Sequence, residues 1–535
     1  MNEVPRTNRV ITLVVTCLGA FMILLDTSIV TLALPAIQAA FHTSLADLQW
    51  TVDAYTLPFA VLMLTAGTLG DRFGRKSVFV IGLVLFMLGS ALCGFAPGLG
   101  WLLFGRVVQG VGAAALSTTS LSILVVAFPE PRARAQAIGL FSGVSGIALA
   151  VGPLVGGLLV QLGNWPAIFF VNLPLGLIAL VCTWVGLAES RNPRAQHFDL
   201  PGQVLVIIGL SCLVMALIEG SSAGWTSPLI LGLFAGALIF LVAFVLVEQR
   251  VREPLLPLQL FGTPVFSAGN IIALIFGFAT LGPIFFLAQY FQQVQGNTVL
   301  EAGVRTFPIS MGAFLTAPLA GVIAGRIGSR LPTVVGGLLC GSAVLLLMTL
   351  QPDSSYASVW WILGLMGIGF GFMLSPVTTA IFSVTPADRA GLGSSVLNTS
   401  RQVGGTLGIA VLGAYVVQQF ASNIPTQLIQ RGVPASLSTA IANRVAAAGA
   451  AASQALPAGH LPLPTAVLHQ AISAAFVDAL HGSFLISGIA VFAATLLAAF
   501  TFQGNRAGKQ QVPVASEVAP EGQIPVAVNA AKGDE

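Results

Sequence analysis

Long apolar runs alternate with short polar breaks along most of the chain. Each run has about the 20 residues that an α-helix needs to cross a hydrocarbon layer about 30 Å thick. The long two-residue alternation of a membrane barrel is absent. The pattern therefore predicts an all-α polytopic membrane protein with 14 transmembrane helices. The runs cover residues 10–35, 48–70, 77–96, 99–124, 136–161, 165–187, 201–219, 228–247, 266–291, 303–325, 332–350, 358–381, 394–419 and 479–502.

Composition supports a membrane protein and excludes several kinds of site. Only 8% of the 535 residues are Asp, Glu, Lys or Arg and 56% are hydrophobic, whereas ordinary soluble domains contain about 25% charged residues. The five cysteines lie singly in apolar segments and the five histidines are scattered. Neither a disulfide framework nor a metal site is therefore predicted. The chain also lacks a phosphate-binding loop for ATP.

Basic residues predict the orientation, because Lys and Arg in short loops remain on the cytoplasmic side. With the N-terminus inside, 17 of the 22 basic residues are cytoplasmic. Arg305, Arg431 and Arg444 are then outside, and Arg106 and Arg401 lie within spans. Both termini are expected in the cytoplasm. The 17 residues are Arg6, Arg9, Arg72, Arg75, Lys76, Arg132, Arg134, Arg191, Arg194, Arg250, Arg252, Arg326, Arg330, Arg389, Arg506, Lys509 and Lys532.

Two segments lie outside the predicted helices. Residues 420–478 form one long outer loop, rich in Ala, that is compatible with a short helical hairpin or with a disordered cover. Residues 504–535 are polar and are expected to form a disordered cytoplasmic tail. The first apolar run is too long for a secretory signal and lacks a cleavage pattern, so it is expected to remain as a helix.

A charged motif occupies the turn after the second run, where residues 67–76 read GTLGDRFGRK. Glycines permit a tight backbone path, and the Asp, Arg and Lys side chains can make charge-assisted contacts with neighbouring helix ends. The motif is therefore a candidate gating latch, with a simple basic anchor as the alternative. Its residues are Gly67, Asp71, Arg72, Gly74, Arg75 and Lys76.

The motif has an internal echo at residues 321–330, GVIAGRIGSR. Gly321, Arg326, Gly328 and Arg330 repeat the spacing of the first copy, which indicates two related halves. The position of the motif's Asp is Gly325 in this copy, so a weaker second latch is expected.

The charged motif and five further segments together make the chain resemble the major facilitator superfamily, in its fourteen-helix drug/proton antiporter branch. The resemblance covers residues 10–503. Each short Gly-rich segment is weak evidence alone, whereas together they are specific. The matching segments are GTLGDRFGRK, RVVQGVGAAA at 106–115, GVSGIALAVGPLVGG at 143–157, LLDTSIVTLALP in the first run, WTVDAY at 50–55 and RQVGGTLGIAVLGAY at 401–415.

The resemblance implies a major facilitator fold that works by alternating access about a central site. Residues 1–190 are expected to form one six-helix half and 261–503 the other, with two inserted helices in 191–260. The resemblance also implies an exporter motif, in which a kinked and closely packed fifth helix can open and close. Ordinary packing is the alternative for these residues, which are Gly152, Pro153, Gly156 and Gly157.

Asp26 is a carboxylate within the first apolar run, FMILLDTSIVTLALP at 21–35. It lies about 24 Å along the helix from the cytoplasmic end. An ionised carboxylate there is unfavourable by about 2.5–3.5 kcal/mol. The group is therefore expected to gain and lose a proton near neutral pH, as proton coupling or substrate binding requires. A hydrogen bond that joins two helices is the alternative.

Arg106 and Asp53 are the other charged candidates of the first half. Arg106 is a permanent cation within the fourth run and requires an acceptor. The resemblance implies a role in proton transfer, in which Arg106 sets when Asp26 or Asp53 releases its proton; a structural tie is the alternative. Asp53 lies about one turn into the second run, either as an interfacial carboxylate or as a proton or cation contact.

Three further charges are secondary candidates. Arg401 is as compatible with a tie between the halves, or with snorkelling, as with substrate contact. Glu219 and Glu301 lie near the outer interface and are expected to be solvated. The runs at 303–325 and 394–419 contain no acidic residue in mid-membrane, whereas family members that export dications often have a further acidic residue in the second half. The resemblance therefore implies mono-cationic or neutral substrates rather than dications.

These features favour a proton antiporter that exports lipophilic drugs and amphiphiles across the cell membrane and confers antibiotic resistance by multidrug efflux. A dedicated exporter of one endogenous metabolite, lipid or antibiotic is the alternative. An enzyme is disfavoured because no convergent cluster of His, Asp or Glu occurs, and a passive channel because it would have no reason for the one-sided latch and the exporter motif. A sensor is also disfavoured. A monomer driven by the proton gradient is expected, without a cofactor, a metal or a nucleic-acid partner.

Overall fold

The computed structural model describes residues 8–41, 45–191, 199–251, 256, 258–435, 437–438, 441 and 465–502. Within these residues every regular element is helical, which confirms the predicted all-α class. The long helices are α1 (Arg9–Phe41), α2 (Leu45–Phe73), α3 (Arg75–Gly94), α4 (Leu99–Ala127), α5 (Pro131–Gly163), α6 (Asn172–Gly186), α7 (Leu200–Ala223), α8 (Pro228–Glu248), α9 (Pro264–Gln289), α10 (Val299–Ile327), α11 (Arg330–Leu346), α12 (Tyr356–Val384), α13 (Ala390–Gln430) and α14 (Thr465–Thr501).

These helices follow the predicted apolar runs in order. Thirteen helical stretches of the described chain are long and apolar enough to cross a membrane. The remaining long helix, α5, has 33 residues and is about 50 Å long at the rise of an α-helix. A single turn, Ala167–Phe170, precedes α6.

The predicted borders of the long outer loop are wrong at both ends. Helix α13 continues to Gln430 and α14 begins at Thr465, so part of the segment 420–478 is helical. The reason is apolar packing at helical spacing: Phe420, Ile424 and Leu428 are buried, and the Phe420 ring lies 6.0 Å from the ring of Phe476 in α14. The centre of this loop and the tail from 503 lie outside the described residues.

Helices α7 and α8, which we call the inserted hairpin, pack against each other. Helix α7 also contacts α2 and α13, which belong to different expected halves. These contacts are compatible with an insertion between two six-helix units. The division of the chain at residues 190 and 260 stays a prediction.

The two expected halves meet at one end of the bundle, which we call the basic end and which is formed by residues 67–76, 131–139, 317–330 and 386–395. There α2 lies against α13, and α5 lies against α10. A Cβ added at Gly67 would lie 2.5 Å from the carbonyl oxygen of Gly391, and one at Gly139 would lie 2.8 Å from that of Ala317. Glycine therefore permits backbone-to-backbone contact across both crossings, and the bundle is closed at the basic end.

Candidate functional site

Asp26 lies at the centre of a buried polar network in the first six helices. Its side chain is 1% exposed, and its two carboxylate oxygens accept hydrogen bonds from three side chains. Arg106 Nη1 donates to Oδ2 at 2.6 Å, Gln109 Nε2 donates to Oδ1 at 2.7 Å, and Asn172 Nδ2 donates to Oδ1 at 2.9 Å. The carboxylate is thus held by α4 and α6 as well as by its own helix α1.

Arg106 completes the network from α4. Its guanidinium forms an ion pair with Asp26 at 2.6 Å and donates from Nε to the carbonyl oxygen of Thr51 at 3.0 Å. The guanidinium also lies 4.3 Å from the centre of the Tyr55 ring, a distance at which a cation and an aromatic face attract each other. Arg106 Nη1 also donates to Gln109 Oε1 at 2.7 Å. The buried cation is therefore compensated by one carboxylate, one backbone carbonyl, one side-chain amide oxygen and the Tyr55 ring.

The structure shows the hydrogen bonds between helices that were the alternative for Asp26, and its role in proton coupling stays a prediction. Arg106 and Gln109 are three residues apart and so lie on one face of α4, which packs against α1. Asp26 is thereby paired rather than exposed to a cavity. The prediction that Arg106 requires an acceptor is confirmed. Asp26 and Asp53 were both suggested as partners, and the structure pairs Arg106 with Asp26.

The other acidic candidates lie elsewhere. Asp53 in α2 is partly exposed, and Glu219 of the inserted hairpin is close enough to interact with it electrostatically. Glu301 is exposed at the start of α10, where its carboxylate accepts from the backbone N–H of Thr298 at 2.8 Å and its own N–H donates to the Thr298 hydroxyl. Glu301 thus forms a helix-capping box, which is a local structural role.

The candidate exporter motif packs on α1 close to the buried pair. A Cβ at Gly152 would collide with the side chain of Ser28, two residues beyond Asp26. The predicted close helix approach is therefore confirmed at Gly152. Gly156 and Gly157 continue α5, and the side chain of Pro153 lies outside the described part of the chain.

Asp71 joins the two expected halves at the basic end. Its Oδ1 accepts from the backbone N–H of Gly391 at 2.9 Å, and its Oδ2 accepts from that of Leu392 at 3.0 Å. These N–H groups belong to the first turn of α13, where the helix dipole also favours a negative charge. A carboxylate of α2 therefore caps a helix that lies 320 residues further along the chain.

Arg75 reinforces this contact from the start of α3. Its Nη2 donates to Asp71 Oδ1 at 2.7 Å and to the carbonyl oxygens of Ala387 and Asp388 at 3.1 and 3.2 Å. The guanidinium is 2% exposed, so both the carboxylate and the cation of this contact are withdrawn from water. Asp71 and Arg75 thus join the turn between α2 and α3 to the start of α13. That this contact acts as a gating latch stays a prediction.

Lys76 acts within the first half instead. Its Nζ donates to the carbonyl oxygen of Leu187 at 2.7 Å, just after α6. Glu189 lies beside it and accepts from the backbone N–H groups of Lys76 and Ser77, both at 3.0 Å. Glu189 therefore caps α3, a role that no pattern in the sequence indicated.

Gly74 has a backbone conformation that only glycine adopts readily, with φ at 115°. A Cβ there would also lie 2.5 Å from the carboxyl carbon of Glu189. We expect Gly74→Ala to lower the free energy of unfolding by about 1–3 kcal/mol, because the strain and the collision add. Thermal unfolding of the purified protein measures this. Gly100→Ala is the control, since nothing lies within 4 Å of its Cβ position, and an equal loss in both variants would contradict the assignment.

In the second copy of the motif a glycine packs closely where the first copy has its aspartate. Gly325, at the position of Asp71, lies where a Cβ would be 3.2 Å from Cα of Arg132 at the start of α5. The first residue of α5 is Pro131, which has no backbone N–H to donate. An acidic side chain at position 325 would lack space, and it would lack a backbone N–H donor at residue 131. Arg326 and Arg330 are exposed.

Arg401 is on α13 and points towards α12 of its own half. Its Nη2 donates to the Thr378 hydroxyl at 2.7 Å and to the carbonyl oxygen of Leu374 at 3.4 Å. The alternative of a tie between the halves is therefore wrong, since both contacts lie within the second half.

Comparison with known proteins agrees with this architecture. Residues 16–409 match the sequence profile of the Major Facilitator Superfamily. The chain is 36% identical to the tetracenomycin C resistance and export protein of Streptomyces glaucescens over 520 residues, 96% of this chain and 95% of that protein. It is 39% identical to multidrug resistance protein Stp of Mycobacterium tuberculosis over 426 residues, 80% of this chain and 79% of that protein.

A solved structure supports the same assignment at the level of the fold. The crystal structure of the human organic anion transporter MFSD10 (TETRAN) aligns with a TM-score of 0.57, covering 90% of this chain and 99% of that chain. At 14% sequence identity this likeness shows the fold alone. The sequence match, the relatives and the fold agree, and the chain therefore belongs to the Major Facilitator Superfamily.

Proposed function

We propose that this protein exports lipophilic small molecules in exchange for protons, by alternating access. The two relatives compared above are named for multidrug resistance and for resistance to and export of tetracenomycin C. The observation that carries proton coupling is the buried pair of Asp26 and Arg106. A carboxylate whose charge is balanced by one buried cation must change its bonding when it takes up a proton.

In the proposed cycle, protonation of Asp26 weakens its ion pair with Arg106 and frees α1 to move relative to α4. The contact of Gly152 with Ser28 lies two residues along α1 from this pair, so the movement reaches α5. Helix α5 in turn contacts α10 of the other half. The proton gradient is the proposed energy source, without a cofactor, and the transporting unit is a monomer.

We propose that the basic end faces the cytoplasm, with both termini on that side of a bacterial inner membrane. The charges of residues 72–76, 132, 326 and 330 support this orientation, because Lys and Arg in short loops remain inside. The conformation described here, closed at the basic end, is then closed to the cytoplasm.

The proposal is tested with purified protein in proteoliposomes, a lipophilic fluorescent cation such as ethidium, and an imposed pH gradient. Dye is expected to accumulate against its gradient while the pH difference lasts. Exchange of one proton for one monocationic dye moves no net charge, so the pH difference alone drives it. About 1.7 pH units are worth about 2.3 kcal/mol per proton, enough for roughly fiftyfold accumulation. A protonophore should abolish the accumulation. Dye movement that continues unchanged after the gradient collapses would contradict proton coupling.

A further inference from the structure

A partly buried cation, Arg401 of α13, has no carboxylate partner within 4.0 Å among the described residues. Ion pairs within 4.0 Å join Asp71 with Arg75 and Asp26 with Arg106. Arg401 therefore has no carboxylate at that distance in the described part of the chain. Its hydrogen-bond acceptors are one hydroxyl and one carbonyl, on Thr378 and Leu374. Its Nε is buried and donates to nothing.

Arg401 also borders a cavity between α9, α12 and α13. The cavity has a volume of about 10 Å³, which is room for about one water molecule. Its other lining residues are apolar, and they are Ile272, Ala273, Phe276, Met373, Leu374 and Val377. In this conformation the space is too small for a substrate. Once widened, an apolar wall with one guanidinium would suit a ligand that has an aromatic body and a single anionic group.

Two physical arguments favour use of this charge by a ligand. Arg remains protonated in proteins, so loss of a proton cannot relieve the cost of its burial. The acceptors present are neutral and leave at least one donor without a partner, whereas an oxyanion would satisfy the guanidinium with charge-assisted hydrogen bonds. In the first half the carboxylate of Asp26 compensates the charge of Arg106. In the second half no carboxylate of the described residues lies within 4.0 Å of Arg401.

The position of α13 gives a ligand access when the halves separate. Its first turns contact α2 through Gly391 and Ser395 beside Gly67, and α13 also contacts α4. Arg401 lies about two turns further along α13 and keeps part of its surface exposed. Opening of the basic end would uncover the face of α13 on which this cavity can widen.

We propose that Arg401 is a subsite for the acidic group, a carboxylate or phenolate oxygen, of lipophilic substrates. The proposal rests on the export function proposed above and deepens it. The second half has few acidic residues, which disfavours dications as substrates. For the same reason the Arg401 guanidinium can bind the anionic group of a ligand. Substrates without an acidic group would rely on the apolar surfaces alone.

The test is equilibrium binding to the full-length protein in nanodiscs, with a fluorescent coumarin carboxylic acid and its ethyl ester as probes. Binding is corrected for partition into empty nanodiscs. The wild type is expected to bind the acid at least about tenfold more tightly than the ester, the ratio that one charge-assisted hydrogen bond provides. Arg401→Gln should remove this preference, and Arg401→Lys should keep part of it.

Two control variants separate ligand binding from helix packing. Thr378→Val removes the hydrogen bond from Arg401 to the Thr378 hydroxyl but keeps the cation. The preference for the acid should therefore remain. Arg431→Gln removes a cation at the other end of α13, where it bonds to Gln427, and should change nothing. If Arg401→Gln keeps the wild-type ratio, or if the wild type binds the ester but not the acid, the subsite is wrong.

Failure of the subsite can be told apart from failure of the export function. Ethidium export by the wild type under a pH gradient is measured in proteoliposomes made from the same batch of purified protein. Export without an acid preference contradicts the Arg401 subsite alone. An acid preference that depends on Arg401, without any gradient-driven export, supports the subsite and contradicts the proposed function.

Discussion

Asp26→Asn is expected to abolish uphill transport and to lower the free energy of unfolding by about 3–5 kcal/mol, the typical effect of removing one partner from a buried ion pair. The asparagine has one acceptor oxygen, whereas three donors converge on Asp26 from Arg106, Gln109 and Asn172. Its amide N–H₂ must therefore face a donor, and the Arg106 charge is left uncompensated. Dye accumulation in proteoliposomes and thermal unfolding measure the two effects.

The double variant Asp26→Asn/Arg106→Gln separates coupling from stability. A neutral pair removes both buried charges, so most of the lost stability should return. Uphill transport should remain absent, because no group in the network can then exchange a proton. Asp53→Asn makes the same substitution at a partly exposed carboxylate and should lower stability far less. Gradient-driven accumulation by Asp26→Asn would show that Asp26 is not the coupling group, and Asp53 would become the candidate.

The sequence predicted the helices and the charges of the latch because both depend on local pattern. Apolar length sets the spans, and residues 67–76 carry their charges within one turn of chain. The sequence also contains two patterns that indicate the network around Asp26. Gln109 follows Arg106 by three residues on one helix face, and Asn172 is a polar side chain in an apolar run, FFVNLPLG.

The pairing of these groups could not be predicted in the same way. Asn172 reaches Asp26 across 146 residues, and Asp71 reaches Gly391 across 320. Such contacts depend on how helices cross, which hydrophobic periodicity does not specify. Glu189 caps α3 from just beyond α6, and an exposed acid after a helix has no distinguishing pattern. The sequence therefore indicated which charged side chains form the predicted latch, but not which backbone groups they bind.

Asp71→Ala is expected to open the basic end. The substitution removes two hydrogen bonds to the first turn of α13, the favourable interaction with its dipole and the partner of Arg75. A loss of about 2 kcal/mol would change the ratio of open to closed molecules roughly thirtyfold. Ser395→Cys in a cysteine-free background reports this, because Ser395 is buried beside Gly67 at the crossing of α2 and α13.

Alkylation of that cysteine by a water-soluble maleimide should accelerate roughly thirtyfold in Asp71→Ala, in proportion to the open population. Asp71→Asn should give a smaller acceleration, since its amide oxygen still accepts one backbone N–H. Lys76→Ala is the matched control within the same motif. The Lys76 side chain bonds to the carbonyl oxygen of Leu187, in its own expected half, so its removal should leave the rate unchanged. Equal acceleration in Lys76→Ala and Asp71→Ala would mean that the motif stabilises the first half as a whole. Acceleration confined to Asp71 and Arg75 variants would instead place the gate at the contact between a carboxylate on α2 and the first turn of α13.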